Sequence, residues 1–303
     1  MSGADAPTVS ISEIARRLKI AGIETASLEA RLLVALATSC SSEELHGSME
    51  VTVTAGQRQF LDDLVARRIN REPMAYLMGI REFWSLPFKV APGVLIPRPD
   101  SETVIEAACR ARPDRTAALR ILDLGTGTGC LLLALLREYP HAVGVGVDLS
   151  PLAVETAREN AQALGMEARA RFMPLDWNDR ADPLYANLYA ARFDIIVSNP
   201  PYIATGEIET LMRDVLDYEP RVALEGGLDG LDAYRRILPV IRAALAEQGV
   251  AILECGDRQA GELIKLARDQ GFVEGLCALD LSGVERCVIL GLEGEKNLLE
   301  RKG

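Results

Sequence analysis

Apolar residues recur three and four positions apart through the first part of the chain, then give way to short continuous runs. Ile11, Ile14, Ala15 and Leu18 keep helical spacing behind the candidate caps Ser10 and Ser12. A second helix is expected after Thr25, with Leu28, Leu32, Leu33 and Leu36 on its apolar side. A third starts at Thr54, where Gln57 has capping-box spacing, and continues through Phe60, Leu61, Leu64 and Val65. Residues 1–78 thus read as all helix, either a stabilising cap or a partner-docking module. Over 83–96 the pattern turns to strand. Phe83, Trp84, Leu86, Phe88 and Val90, then Val94, Leu95 and Ile96 across the Ala91-Pro92-Gly93 turn, predict a hairpin linker within 79–100.

From residue 119 strand and helix patterns alternate. Strands are expected over 120–124, 143–148, 170–174, 193–198, 249–254, 272–279 and 284–291, and helices over 130–138, 151–164, 232–247 and 258–270. Such alternation implies a mostly parallel sheet covered on both faces. The last two strands follow each other without a helix, so they should form an antiparallel hairpin. The predicted fold is α/β: a seven-stranded, mostly parallel sheet like that of class I methyltransferases, over 101–303, behind a small N-terminal helical domain.

Composition narrows the chemistry. The 303 residues are 49% hydrophobic but only 5% aromatic, so Leu, Val, Ile and Ala must fill the core. A net charge of −11 repels a phosphate backbone and argues against tight, non-specific nucleic-acid binding. The 6 cysteines form no C-x-x-C pair, and the 2 histidines, His46 and His141, are too few for a histidine-rich metal cluster. No apolar run reaches membrane-spanning length, so a cytoplasmic protein with no membrane partner and no metal, acting as a monomer, is expected.

The segment Ile121-Leu122-Asp123-Leu124-Gly125-Thr126-Gly127-Thr128-Gly129 leaves a strand and enters a helix. Its glycines allow a sharp turn and the close approach of a ligand, and the helix amino end favours a carboxylate. A tight strand–helix turn alone would use the same glycines. Asp148, 21 positions after Gly127, ends the next strand, where a carboxylate can accept both ribose hydroxyl protons. It could also simply cap the helix beginning at Pro151, but loop and acid together favour cofactor binding. Asp176-Trp177 ends the third strand region, where a polar group and an aromatic ring could hold adenine.

The buried strand Phe193–Ser198 runs into Asn199-Pro200-Pro201-Tyr202. The prolines fix the backbone and remove two amide donors, leaving carbonyl oxygens to accept. An amide or aromatic amine is a poor nucleophile because its lone pair is delocalised. If the Asn199 side-chain oxygen and the Pro200 carbonyl each accept one N–H, the lone pair can aim at a methyl donor and the growing positive charge is stabilised. Tyr202 can lie against the planar group.

With these residues the chain resembles the protein-(glutamine-N5) methyltransferases of the release-factor-modifying family. The resemblance also takes in Arg71–Gly79, Leu95-Ile96-Pro97-Arg98-Pro99-Asp100-Ser101-Glu102 and Gly226–Leu231, with a looser match at Leu253-Glu254-Cys255-Gly256. It implies S-adenosyl-L-methionine as cofactor, held by Asp123, Gly125, Thr126, Gly127, Thr128, Gly129, Asp148, Trp177 and Asn199. It implies a peptide chain release factor as partner, docked with help from the helical domain. The glutamine of the Gly-Gly-Gln loop would be held by Asn199, Pro200, Pro201 and Tyr202, with Asn199, Pro200 and Tyr202 serving catalysis. Glutamine methylation of a ribosomal protein, N-methylation of adenine or guanine, and a catalytically silent scaffold are the competing readings.

Overall fold

The computed structural model describes residues 7–41, 45, 50–177, 179, 190–273 and 275–292. They divide into two compact units. One is made from the chain up to Gly79 together with Met212–Tyr218, and the other from Ile80–Leu211 and Glu219 onward.

In the first unit, helices α1 (Ile11–Ile20), α2 (Ala26–Thr38), α3 (Ala55–Ile69) and α4 (Met74–Met78) pack around Leu18, Leu33, Leu61 and Leu64. Ser10 caps α1, and the capping box of Thr54 and Gln57 is present at α3. The unit is not all helix: β1 (Thr8–Ser10) pairs antiparallel with β2 (Glu50–Thr52). The buried stripe of α2 also differs from expectation. Ala26, Ala30, Leu33, Val34 and Ala37 face inward while Leu28 is exposed, because small side chains let α1 and α3 approach closely. Phe60 likewise faces outward. The short helix α8 (Arg213–Leu216), after the three helices of the second unit named below, returns to this first unit. There Asp214 meets the buried Arg68 at 2.8 Å, and Arg68 also holds Glu29 at 2.6 Å.

The second unit opens with β3 (Ile80–Phe83) and β4 (Leu86–Lys89), paired antiparallel. Their turn is Trp84-Ser85, not Ala91-Pro92-Gly93 as the sequence pattern suggested. Both turn residues have positive φ, 52° and 56°, as a two-residue hairpin turn demands. Trp84 is held there by its amide on Glu102 (2.7 Å) and its indole N–H on Glu138 (2.8 Å). Phe83 and Phe88 pack edge to face in the core.

Helices α5 (Glu102–Ala111), α6 (Cys130–Glu138), α7 (Pro151–Ala163), α9 (Asp232–Ala244) and α10 (Ala260–Asp269) flank a sheet that is seven-stranded among the described residues. Its strands are β5 (Arg120–Leu124), β6 (Val143–Asp148), β7 (Ala170–Pro174), β8 (Phe193–Ser198), β9 (Leu245–Glu254), β10 (Leu276–Leu279) and β11 (Glu285–Leu290), in the order β10-β11-β9-β8-β5-β6-β7. The pairs among β5 to β9 are parallel, and β11 runs antiparallel to both β9 and β10. Alternate residues feed two cores: Ile121, Ile195 and Val197 one face, Leu122, Leu124 and Ile196 the other. Strand β9 begins earlier than its apolar run, because Leu245 already pairs with Phe193 before a break in register. The chain winds outward from β5 through β6 to β7, then returns to β8 on the opposite side of β5. The crevice beyond the carboxyl ends of β5 and β8 is therefore the switch point where such sheets take ligands. No described helix is long and apolar enough to cross a membrane.

Candidate active site

At the end of β5 the chain turns through three residues that only glycine adopts freely: Gly125, Gly127 and Gly129 have φ of 74°, 55° and 81°. A Cβ at Gly129 would stand 3.1 Å from Ala157 and from Phe172, so this glycine lets α6 pack closely. A Cβ at Gly127 would meet open space. Two loop amides, of Gly125 and Thr126, donate to the Val147 carbonyl at 2.9 Å. Asn160, almost fully buried, ties the loop to the hairpin: its Nδ2 donates to the Thr128 carbonyl (2.9 Å) and the Lys89 carbonyl (3.1 Å), while its Oδ1 accepts from the Lys89 amide (2.7 Å).

Asp148 closes the end of β6. Its Oδ2 accepts from the Gly127 amide and its Oδ1 from the Ser150 amide, both at 2.9 Å. The cap of α7 is Ser150, whose hydroxyl accepts from Ala153, so helix capping does not explain Asp148. Burial raises its carboxyl above the usual range, against the pull of those amides. Beneath the loop Asp123 is fully buried. Thr126 donates to its Oδ2 at 2.6 Å, but its Oδ1 has no partner among the described residues, and neither does the Thr128 hydroxyl. Burial pushes Asp123 up to about 7, helped by the nearby charge of Asp148. Buried polar atoms without partners are costly, so this cradle suits a polar ligand that completes it.

On the other side of the switch point, Ser198 anchors the end of β8 by donating to the Leu124 carbonyl at 2.6 Å. Asn199 follows, and its Nδ2 donates to the Ser101 hydroxyl at 3.1 Å. Pro200 is buried, and its carbonyl accepts no backbone hydrogen bond among the described residues. The next turn is pinned from behind. Gln259 Nε2 donates to the Tyr202 carbonyl (2.9 Å), and Ile203 bridges to Glu225. Gly226 and Gly230 lie so close that a Cβ would come within 2.7 Å of the Pro201 carbonyl and 2.3 Å of the Tyr202 carbonyl. That explains the glycines of Gly226–Leu231: the segment is a backing plate for the tetrapeptide.

A cavity of about 340 Å³ joins the two sides. Gly125, Gly127, Asp148, Trp177, Asn199 and Pro201 all line it, with Leu95 and Pro220 on its outer wall. Trp177 stands over Gly125, 3.4 Å from where a Cβ would be. Asp123, Thr126, Thr128 and Gly129 lie under the loop rather than on the wall. Tyr202 also stays off the wall: its hydroxyl donates to Glu254 at 3.3 Å and its ring packs on the core beneath. The outer wall is clamped by Arg98, which meets the buried Glu219 at 2.6 Å, while Glu219 also accepts from the Ile96 amide at 3.3 Å. Sequence periodicity singled out none of Ser101, Asn160, Glu219, Glu254 or Gln259. The stretch from Leu95 to Glu102 and the run Leu253–Gly256 carried the only signal for Ser101 and Glu254.

Among the described residues no group of three or more His, Cys, Asp or Glu side chains could hold a metal ion. The PrmC N-terminal domain family model matches residues 11–79, and the Methyltransferase domain model matches residues 115–276. The release factor glutamine methyltransferase of Rhodospirillum rubrum is 42% identical, covering 90% of this chain and 81% of its own. That of Bradyrhizobium diazoefficiens is 40% identical, covering 91% of each. That of Caulobacter vibrioides is 39% identical, covering 94% of each.

Proposed function

This chain belongs to the release factor glutamine methyltransferase family, and from that premise we propose that it methylates the side-chain amide nitrogen of the Gly-Gly-Gln glutamine in a peptide chain release factor. The methyl group comes from S-adenosyl-L-methionine, which supplies an electrophilic methyl on a sulfonium. Asp148 would hold its ribose hydroxyls, Gly125 to Gly129 its methionine end, and Trp177 its base. The glycine cradle, with the unpartnered Asp123 Oδ1 and Thr128 hydroxyl around it, fits a ligand of that polarity.

The observation that carries the reading is the orientation of Asn199. Its Nδ2 is committed to Ser101, so its Oδ1 is left to accept. With the Pro200 carbonyl it offers two acceptors to a planar NH2 group. Holding both N–H bonds aims the nitrogen lone pair along the remaining direction and stabilises positive charge as the new C–N bond forms. The nitrogen gains a methyl and sheds one proton, which becomes acidic only as the bond is made. Acceptors therefore serve this reaction where a strong base is not needed.

We assign docking of the intact factor to the helical unit. The test is incubation with labelled cofactor and, separately, a release factor, a ribosomal protein and DNA, followed by peptide mapping. Label on the Gly-Gly-Gln glutamine supports the reading. Label confined to the ribosomal protein or DNA replaces it with a competing one.

A further inference from the structure

An asparagine amide has two ends of nearly the same shape, one donating and one accepting. If Asn199 were turned over, its NH2 would face the substrate NH2, donor against donor, and the site would repel the group it must hold. The bond from Nδ2 to Ser101 selects the useful orientation only if Ser101 accepts. A serine hydroxyl can equally donate, and a donating Ser101 would prefer Asn199 Oδ1. Something must claim the serine proton.

Glu254 stands behind it. The residue ends β9 and is 1% exposed, and Ser101 is 2% exposed. Tyr202 donates to Oε1 at 3.3 Å, Oε2 is buried with no hydrogen-bond partner among the described residues, and the Ser101 hydroxyl is close enough to pull the carboxyl's pKa down. An ionised carboxylate only accepts. The open Oε2 is the acceptor toward which the serine proton can turn, leaving a serine lone pair for Asn199. We propose that Glu254 is a positioning residue that, through Ser101, sets the direction of the hydrogen-bond chain and so holds the Asn199 oxygen toward the acceptor nitrogen. The inference rests on the reading of Asn199 given above.

Burying a charge is expensive, and a glutamine would fill the same space for less. A glutamine would not fix a direction, since its amide can donate to Ser101. Arg286 on β11, held by Asp280 at 2.9 Å and near Asp100 at 3.4 Å, offsets only part of the cost of burying Glu254. Asp100, Cys130, Cys255, Cys287 and the Tyr234 hydroxyl are the other titratable groups around it, and burial keeps those thiols and the phenol protonated. Burial pushes Glu254 up to about 7, against the pull of Ser101, Arg286 and Tyr202. Above that pH the carboxylate accepts from Ser101. Below it the carboxyl carries a proton, can donate to Ser101, and the chain loses its direction.

The test is turnover across neutrality at saturating cofactor and release factor. Wild type should lose kcat as pH falls through about 7. Glu254→Gln should lower kcat roughly 10- to 100-fold and flatten that limb, leaving KM for the factor and affinity for S-adenosylhomocysteine unchanged. Ser101→Ala should show the same loss, the double variant no further loss, and Glu254→Asp should recover both activity and limb in part. Wild-type turnover by Glu254→Gln, a surviving limb, or additive losses would overturn the proposal. The side-chain amide resonances of Asn199 give a reading without turnover and without a variant. They should shift with pH through the same limb, and their indifference would also sink the proposal. If wild type leaves the glutamine unmodified while these resonances still titrate, the substrate reading fails and the relay stands.

Discussion

The glycine-loop end of the cavity and the Asn199 end lie side by side at the sheet's switch point, yet they are built by different means. The loop end comes from a short stretch of chain, Gly125 to Asp148, and its shape is mostly backbone: three positive φ angles and amides fastened to Val147 and Asp148. The Asn199 end is assembled from segments far apart. Ser101 is 98 residues from Asn199, Glu254 is 52 from Tyr202, and Gln259 is 57 from Tyr202. Under the loop, Asp123 and Thr128 keep unpartnered atoms; at Asn199, the side-chain donor is already placed. The first end is completed by what it binds, and the second is prepared before anything binds. Substitutions at the first should change affinity, and at the second, rate.

Asn199→Ala presses hardest on that division. Turnover should fall on the order of 10²–10³-fold, with cofactor affinity changed far less. Steady-state kinetics beside calorimetry with S-adenosylhomocysteine separates the two, and an equal loss in both would erase the distinction between the ends. Asp148→Ala is the mirror case. Losing charge-assisted bonds to the ribose should cost about 1.5–3 kcal/mol of cofactor affinity. At saturating cofactor kcat should be nearly kept, and a Kd equal to wild type would remove Asp148 from the binding site.

Gly230→Ala probes the backing plate without touching the cavity wall. At φ of 75°, with a Cβ placed 2.3 Å from the Tyr202 carbonyl, the variant must shift the tetrapeptide or strain itself. A stability loss of about 1–3 kcal/mol by denaturant titration is expected, with kcat lowered more than cofactor affinity. An unstrained, fully active variant would show that the plate does not position the tetrapeptide.

The smallest effect concerns the waiting carboxylate. Burial holds Asp123 at about 7 in the folded protein, above its ordinary value of 3.8. Between those values the folded state keeps a proton that the unfolded chain releases, so stability declines as pH rises, and the full cost is present above about 7. Asp123→Asn should therefore raise the melting temperature of the ligand-free protein above neutrality, each kcal/mol recovered giving about 2–4 °C, while weakening cofactor binding. A variant less stable than wild type at that pH would mean the carboxylate is already compensated.

The same contrast governs how much could be read from sequence. Strands β5, β6 and β8 were legible because a sheet covered on both faces demands near-continuous apolar runs, and the glycine loop because its geometry is local. The Trp84-Ser85 turn was hidden: neither residue favours positive φ, and the contacts that hold Trp84 come from Glu102 and Glu138. The inward stripe of α2 was legible at Leu33 but not at Ala26, Ala30 and Ala37, because small residues allow close helix packing without an apolar signal of their own. Asn199 was visible beside its prolines. Its support was not, because Ser101, Glu254 and Gln259 reach it only through the fold.

Met212–Tyr218 has a consequence for how such proteins can be recombined. A crossover near Gly79 would trade the four early helices but leave behind Asp214, one of the two carboxylates on the buried Arg68. A chimera made at that single junction inherits an arginine matched to one parent and an aspartate segment from the other. Inheritance of the helical unit is thus a two-locus trait, and exchange between distant lineages should succeed only when both segments travel together.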